Sequence, residues 1–150
     1  MKSPNTPPMN LLITGASAGF GLETARLFVK NGHRVIGLAR RKERLEALKE
    51  ELGENFYPLV VDITDKAAVK AAIESIPAPF DDIDLLINNA GLALNKEAAF
   101  KVDYADWETM IDVNIKGLTY ITHLILPKMI ATNDGYIIHI SSHAANYRHY

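Results

Sequence analysis

Three glycines, Gly15, Gly19 and Gly21, follow the apolar run Leu11, Leu12 and Ile13 and precede an amphipathic segment at 22–30. That order reads as a buried strand, a tight turn and a helix. Glycine admits unusual backbone dihedrals and lets a pyrophosphate come close to the chain. The helix that follows offers unpaired N–H groups and the positive end of its dipole to an anion. The chemistry these residues could do is therefore the binding of a dinucleotide. The spacing is G-x-x-x-G-x-G, not the commoner G-x-G-x-x-G, and a strand–helix connection with no ligand reads the same way in isolation.

Other polar residues sit where apolar runs end. Arg40-Arg41-Lys42 follows one such run, Asp62 another, Asn88-Asn89-Ala90-Gly91 a third and Ser141-Ser142 a fourth. His139 and His143 are four residues apart, but a strand and turn would not place them on one helical face. No H-E-x-x-H occurs, and no metal site is expected.

Composition narrows the classes. A chain of 150 residues with 48% hydrophobic content suits one globular domain with a real core. A net charge of −2 argues against a nucleic-acid or membrane-surface partner. The absence of cysteine removes disulfides, thiol catalysis and thiolate metal sites. Residues 1–8 lack an apolar core and read as a flexible leader, not a secretory signal. No apolar run approaches a membrane span, so a cytoplasmic location is expected.

The elements that must position these residues follow from periodicity. A helix is predicted over 20–30, with Leu22, Ala25 and Val29 inward and Asn31-Gly32 ending it. Strands are predicted at 34–39, 56–61, 83–87 and 136–140. Helices are predicted at 43–52 and from a cap at Thr64 or Asp65 through Ile76, where Pro77 and Pro79 break the second. A long helix, capped by Asp106, should run to about 131 with a kink or interruption near Pro127. Alternating strands and helices give an α/β fold, a Rossmann-like doubly wound parallel sheet with five strands present. In such a sheet ligands lie outside the carboxyl ends of the strands. Five polar or glycine-bearing strand ends would meet there.

Taken together, these residues resemble the short-chain dehydrogenases/reductases over about 10–145. The turn Thr14-Gly15-Ala16-Ser17-Ala18-Gly19-Phe20-Gly21 is similar to the family's T-G-x-x-x-G-x-G. Asn88-Asn89-Ala90-Gly91 matches its N-N-A-G. Asn114-Ile115-Lys116-Gly117 resembles the segment with its helix asparagine, and Ile138-His139-Ile140-Ser141-Ser142 the strand ending in its serine. The turn's Gly19-Phe20-Gly21, with Arg40-Arg41, the run from Asn89 to Leu94 and the segment from Asp106 to Asp112, also resembles the NADP-dependent branch acting on 3-hydroxy acids and serine-like substrates.

The resemblance implies a residue-by-residue site. Thr14, Gly15, Ser17, Ala18, Gly19, Phe20 and Gly21 would hold the pyrophosphate. A carboxylate at the end of the second strand would bind the ribose of NAD and repel a 2′-phosphate. Arg40 and Arg41 stand there instead and would clamp the 2′-phosphate of NADP(H) with charge-assisted bonds. The alternative is a solvated basic helix start paired with Glu43 and Glu46. Asp62 and Ile63 would flank the adenine, Asp62 doubling as a helix cap. Asn88, Ala90 and Gly91 would lie along the cofactor ribose, and Asn89 would either join them there or tie neighbouring strand ends together by side-chain hydrogen bonds. Ser142, with Ser141 as runner-up, would hold the substrate oxygen, and Asn114 would anchor a water relay.

The implied reaction is hydride transfer between a secondary alcohol or hydroxy acid and its carbonyl, with a small-molecule substrate. The family's Y-x-x-x-K pair is expected near position 155. Tyr147 and Tyr150 stand too close to Ser142 for that role. The chain is therefore expected to be an N-terminal fragment that lacks the C-terminal strands and helices of the family fold. Negligible turnover is expected of it alone, and a homo-oligomer of the full-length form. A non-catalytic dinucleotide-binding module, or a non-functional truncated product, is the alternative.

Overall fold

The structure, a computed structural model, describes residues 7–94 and 97–142. The leader's residues 1–6 and the positions His143, Tyr147 and Tyr150 lie outside the described residues. Five strands form one sheet in the order β3-β2-β1-β4-β5: β1 (Asn10–Thr14), β2 (Arg34–Ala39), β3 (Phe56–Val60), β4 (Leu85–Asn88) and β5 (Tyr136–His139). Every pairing is parallel. The order reverses between β1 and β4, which opens a crevice above their carboxyl ends.

Period-two alternation splits β1 between two cores. Leu11 and Ile13 point to one face, with Val35, Phe56, Leu85 and Ile87 beside them. There they meet Ala25 of α1 (Gly19–Lys30) and Leu45 and Leu48 of α2 (Lys42–Leu52). Leu12 points to the other face with Ile36, Leu38, Leu59 and Leu86. Val69 of α3 (Lys66–Glu74) and Ile121, Ile125 and Met129 of α5 (Leu118–Thr132) cover that face. Helices on both faces make the sheet doubly wound, as the pattern predicts. Among the described residues no helix is long and apolar enough to cross a membrane.

Close packing accounts for Gly37 within β2. A Cβ there would collide with the ring of Phe56, which is wholly buried across it. The glycine admits an aromatic ring to the core between β2 and α2.

The long C-terminal helix departs from its predicted form. Its first part, α4 (Tyr104–Ile111), is capped by Asp103, whose Oδ1 accepts from the Ala105 N–H at 3.0 Å. Asp106 lies inside the first turn. The interruption is a wide π-type turn at Asp112–Gly117, not a break at Pro127, which α5 accommodates in its interior. Such a turn widens the helix where a side chain must be re-aimed. Gly117 ends it, and a Cβ there would stand 3.0 Å from the Ile63 side chain. The small residue thus brings the helix against the loop after β3. Of the two candidate caps for α3, Asp65 serves, accepting from the Ala68 N–H at 3.0 Å.

Candidate functional site

The strand ends enclose a groove of about 450 Å³. Gly15, Ser17, Ala18 and Phe20 form one wall, Arg40 and Arg41 another, and Asp62 and Ile63 a third. Ala90 and Gly91 close it from the end of β4. Ten of the predicted cofactor-site residues therefore line a single groove.

The glycine turn is held from below. Thr14 is buried, and its Oγ1 accepts from the backbone N–H groups of Asn89 at 3.0 Å and Ala90 at 2.9 Å. Asn89 returns the contact, its Nδ2 donating to the Thr14 carbonyl at 3.0 Å. Asn89 thus joins the ends of β1 and β4, the structural one of the two roles open to it from the sequence, and also lines the groove.

The three glycines have different reasons. Gly15 has φ of +71°, and a Cβ on it would stand 2.9 Å from the Ala90 Cα. Gly21 leaves no room for a Cβ beside the Gly15 carbonyl and the Asn89 amide. Gly19 has open space around it, but φ is +55°, a conformation that disfavours a side chain. Two glycines therefore let the turn press onto β4, and the third bends the chain into α1. Thr14, Gly19 and Gly21 do not line the groove; they shape the turn that does.

The helix starts around the groove differ from those away from it. α1 begins at Ala18 in extended backbone, with no side-chain cap and no acidic residue in its first turn. α2 begins after Arg41, also without a side-chain cap. α3 and α4 are both capped by aspartates. An uncapped start leaves backbone donors for a ligand. With the glycine cradle, this start fits the pyrophosphate of a dinucleotide.

Charge is concentrated on the wall near α2. Arg40 Nη1 stands 3.7 Å from Asp62 Oδ2. The other carboxylate oxygen, Oδ1, accepts from the Thr64 N–H at 2.9 Å and its hydroxyl at 2.8 Å. Partial burial pushes the Asp62 carboxyl up, but the Thr64 donors and the Arg40 charge outweigh it. The group lies below the usual carboxylate range. Lys42 turns to Glu46 at 3.5 Å, so the basic triplet divides between a surface pair and the groove.

Three further predicted site residues are absent from the groove's lining. Asn88 is buried below the groove. Its Nδ2 donates to Thr122 Oγ1 at 3.0 Å and contacts His139 Nδ1 at 3.2 Å, so its side chain ties β4 to α5 and β5. That side chain faces the packed side of the sheet and is not part of the groove's lining. Asn114 sits in the wide turn and spends its amide on Leu92. Its Oδ1 accepts from Leu92 N–H at 2.9 Å and its Nδ2 donates to Leu92 carbonyl at 2.8 Å. Ser142 is exposed beyond β5 and does not line the groove. Among the described residues, no group of three His, Cys, Asp or Glu side chains could hold a metal ion.

The groove also has lining that the sequence reading missed: Leu38, Ala39, Val61, Leu92 and Val113. Their signal is weak, since each continues an apolar run and reads as ordinary core. Only the convergence of strand ends gives them a ligand-facing side.

Comparison with known proteins agrees with this geometry. A family model described as short chain dehydrogenase matches residues 9–150. An NADP-dependent 3-hydroxy acid dehydrogenase YdfG of Salmonella typhi is 53% identical over 139 residues, covering 93% of this chain and 56% of that protein. A serine 3-dehydrogenase of Agrobacterium fabrum (strain C58) is 53% identical over 137 residues, covering 91% of this chain and 55% of that protein. The chain thus spans just over half the length of these relatives. The crystal structure of serine dehydrogenase from Escherichia coli superposes with a TM-score of 0.92 at 49% identity, covering 94% of this chain and 65% of that one. A closed form of serine dehydrogenase complexed with NADP+ gives the same TM-score, 0.92, and covers 94% of this chain and 57% of that one. With the family model spanning the groove, its glycine turn and every strand of the sheet, the chain belongs to the short chain dehydrogenase family.

Proposed function

We propose that this chain binds NADP(H) and forms the cofactor-binding part of an oxidoreductase that interconverts a secondary alcohol or hydroxy acid and its carbonyl. One observation carries the reading. Arg40 and Arg41 line the groove at the end of β2, beside an uncapped helix start, where a carboxylate would favour NAD. A guanidinium binds phosphate in bidentate fashion, and the helix start adds its dipole.

In this reading the turn from Gly15 to Phe20 and the start of α1 hold the pyrophosphate. The apolar lining of Leu38, Val61 and Ile63 receives the adenine, and Ala90 and Gly91 border the ribose. The nicotinamide, when bound, supplies or accepts the hydride at the substrate carbon. Asn114 contributes by position: its amide fixes Leu92, and with it the wall above the groove. Ser142 would donate its hydroxyl to the substrate oxygen. The relatives named for 3-hydroxy acids and serine make a hydroxy acid the favoured substrate class.

Titration with NADPH and NADH, followed by fluorescence, tests the reading. NADPH should bind roughly tenfold more tightly or better, the scale of a charge-assisted phosphate contact. Arg40→Ala with Arg41→Ala should abolish the preference and leave NADH binding intact. Equal affinity for the two cofactors in the unsubstituted chain would overturn it.

A further inference from the structure

The wall that carries Arg40 holds its own anion. Asp62 is pinned, since Oδ1 takes two donors from Thr64. Its second oxygen, Oδ2, is turned to Arg40 Nη1 at 3.7 Å. Arg40 is the looser partner, with 67% of its side chain exposed against 41% for Asp62. Both line the same groove. The carboxylate is therefore fixed and the guanidinium can turn.

We propose that Asp62 is a specificity-determining residue that competes with a ligand phosphate for Arg40, and so sets how strongly the groove prefers a 2′-phosphorylated nucleotide. The proposal rests on the NADP(H) reading above and deepens it. Before binding, Asp62 partly neutralises the guanidinium. A phosphate placed on Arg40 must draw it from Oδ2, or accept a like charge a few ångströms away. Either way part of the phosphate's attraction is spent against Asp62. The gain over an unphosphorylated ribose is smaller than Arg40 and Arg41 alone would give.

Both side chains are well exposed, and solvent screening leaves such exposed charge pairs with only a small net effect. The expected effect is accordingly modest, about threefold in affinity. It is directional, which makes it testable. Removing the negative charge should raise the preference for the 2′-phosphate, although a carboxylate in a ligand groove would ordinarily be expected to help binding.

The test compares adenosine 2′,5′-bisphosphate with adenosine 5′-monophosphate by calorimetry on the whole chain. Both carry the adenine and the 5′-phosphate, so the ratio of their affinities isolates the 2′-phosphate. Asp62→Asn should raise that ratio about threefold. In an Arg40→Ala background the same substitution should leave the ratio unchanged. Asp62→Ser, which keeps an oxygen near Thr64, serves as the second variant if Asp62→Asn does not fold. An unchanged or lower ratio in both variants overturns the competition, as does an equal rise without Arg40. If the unsubstituted chain shows no preference for the bisphosphate, the NADP(H) reading falls and this inference falls with it. A preserved preference with an unmoved ratio removes this inference alone.

Discussion

The two sides of the sheet are built differently. On the β1–β2–β3 side, β1 is buried along its whole length and β2 along all but its first residue, and the edge strand β3, open at Val60, still sends Phe56 into one core and Leu59 into the other. On the β4–β5 side, β4 is buried, but β5 is bare on the face that carries Tyr136, Ile138 and Ile140, which are 66%, 44% and 49% exposed. Only Ile137 of β5 packs on the core. The candidate residues divide in the same way. Those after β1, β2 and β3, with Ala90 and Gly91 after β4, meet in one groove, whereas Ser142, after β5, lies outside it. A strand packed on both faces has its register and its end set by the core. A strand packed on one face depends more on local ties. Here these are the Ile140 N–H to the Asn88 carbonyl at 2.9 Å and the Asn88–His139 contact at 3.2 Å.

The largest expected difference is in stability. Leu12→Ala, which empties a fully buried position, should destabilise by about 2–5 kcal/mol in urea unfolding. Ile138→Ala, at a half-exposed position on β5, should cost less than about 1 kcal/mol. Equal costs would erase the contrast between the two sides. A middle effect is expected at the joint. Asn88→Ala removes the ties to Thr122 and His139 and leaves those groups to find other partners, which should cost about 1–3 kcal/mol. Amide exchange at Ile140 should then quicken more than at Leu38, and equal acceleration at both would mean that Asn88 supports the whole sheet, not one edge.

The smallest expected effect is electrostatic and belongs to the β1–β2–β3 side. Asp62 is held below the usual carboxylate range in the folded chain. Its contribution to stability is therefore complete above the ordinary pKa, roughly 4, and is lost as pH falls through the lower folded value. Asp62→Asn should flatten that part of the acid limb slightly in urea midpoints measured between about pH 5 and pH 3. Glu51, paired with Arg26, is also held low and adds loss of the same sign over the acid limb, so the comparison must be with the unsubstituted chain. A limb unchanged by Asp62→Asn would show that Thr64 and Arg40 add nothing to stability.

Much of the sheet side of the site was legible in the sequence because its signals are local. Leu11, Leu12 and Ile13 announce a buried strand, and Gly15 and Gly19 occupy positions whose positive φ disfavours any side chain. Arg40 stands directly after an apolar run and so is placed at a strand end. The long helix was less legible. A capping aspartate at 103 and another acid at 106 look alike in a string of residues, and only the hydrogen bond to Ala105 distinguishes them. Pro127 is the obvious breaker, yet the helix widens at Asp112–Gly117, where Asn114 must reach Leu92 and Gly117 must clear Ile63. Those partners are distant in sequence, so no local pattern names them.

The sequence by itself determined the alternation of strands and helices, the glycine turn and the residues that would stand at each strand end. These follow from periodicity and backbone chemistry, which act over a few residues. The tertiary structure alone decided which side of its strand each polar residue serves. It turned Asn89 to the glycine turn and Asn88 to the packed side of the sheet, although the two are neighbours of one residue type. It also set Asp62 against Arg40 across two strand ends. Adjacent strand residues point to opposite faces, and what waits on each face is a property of the whole sheet.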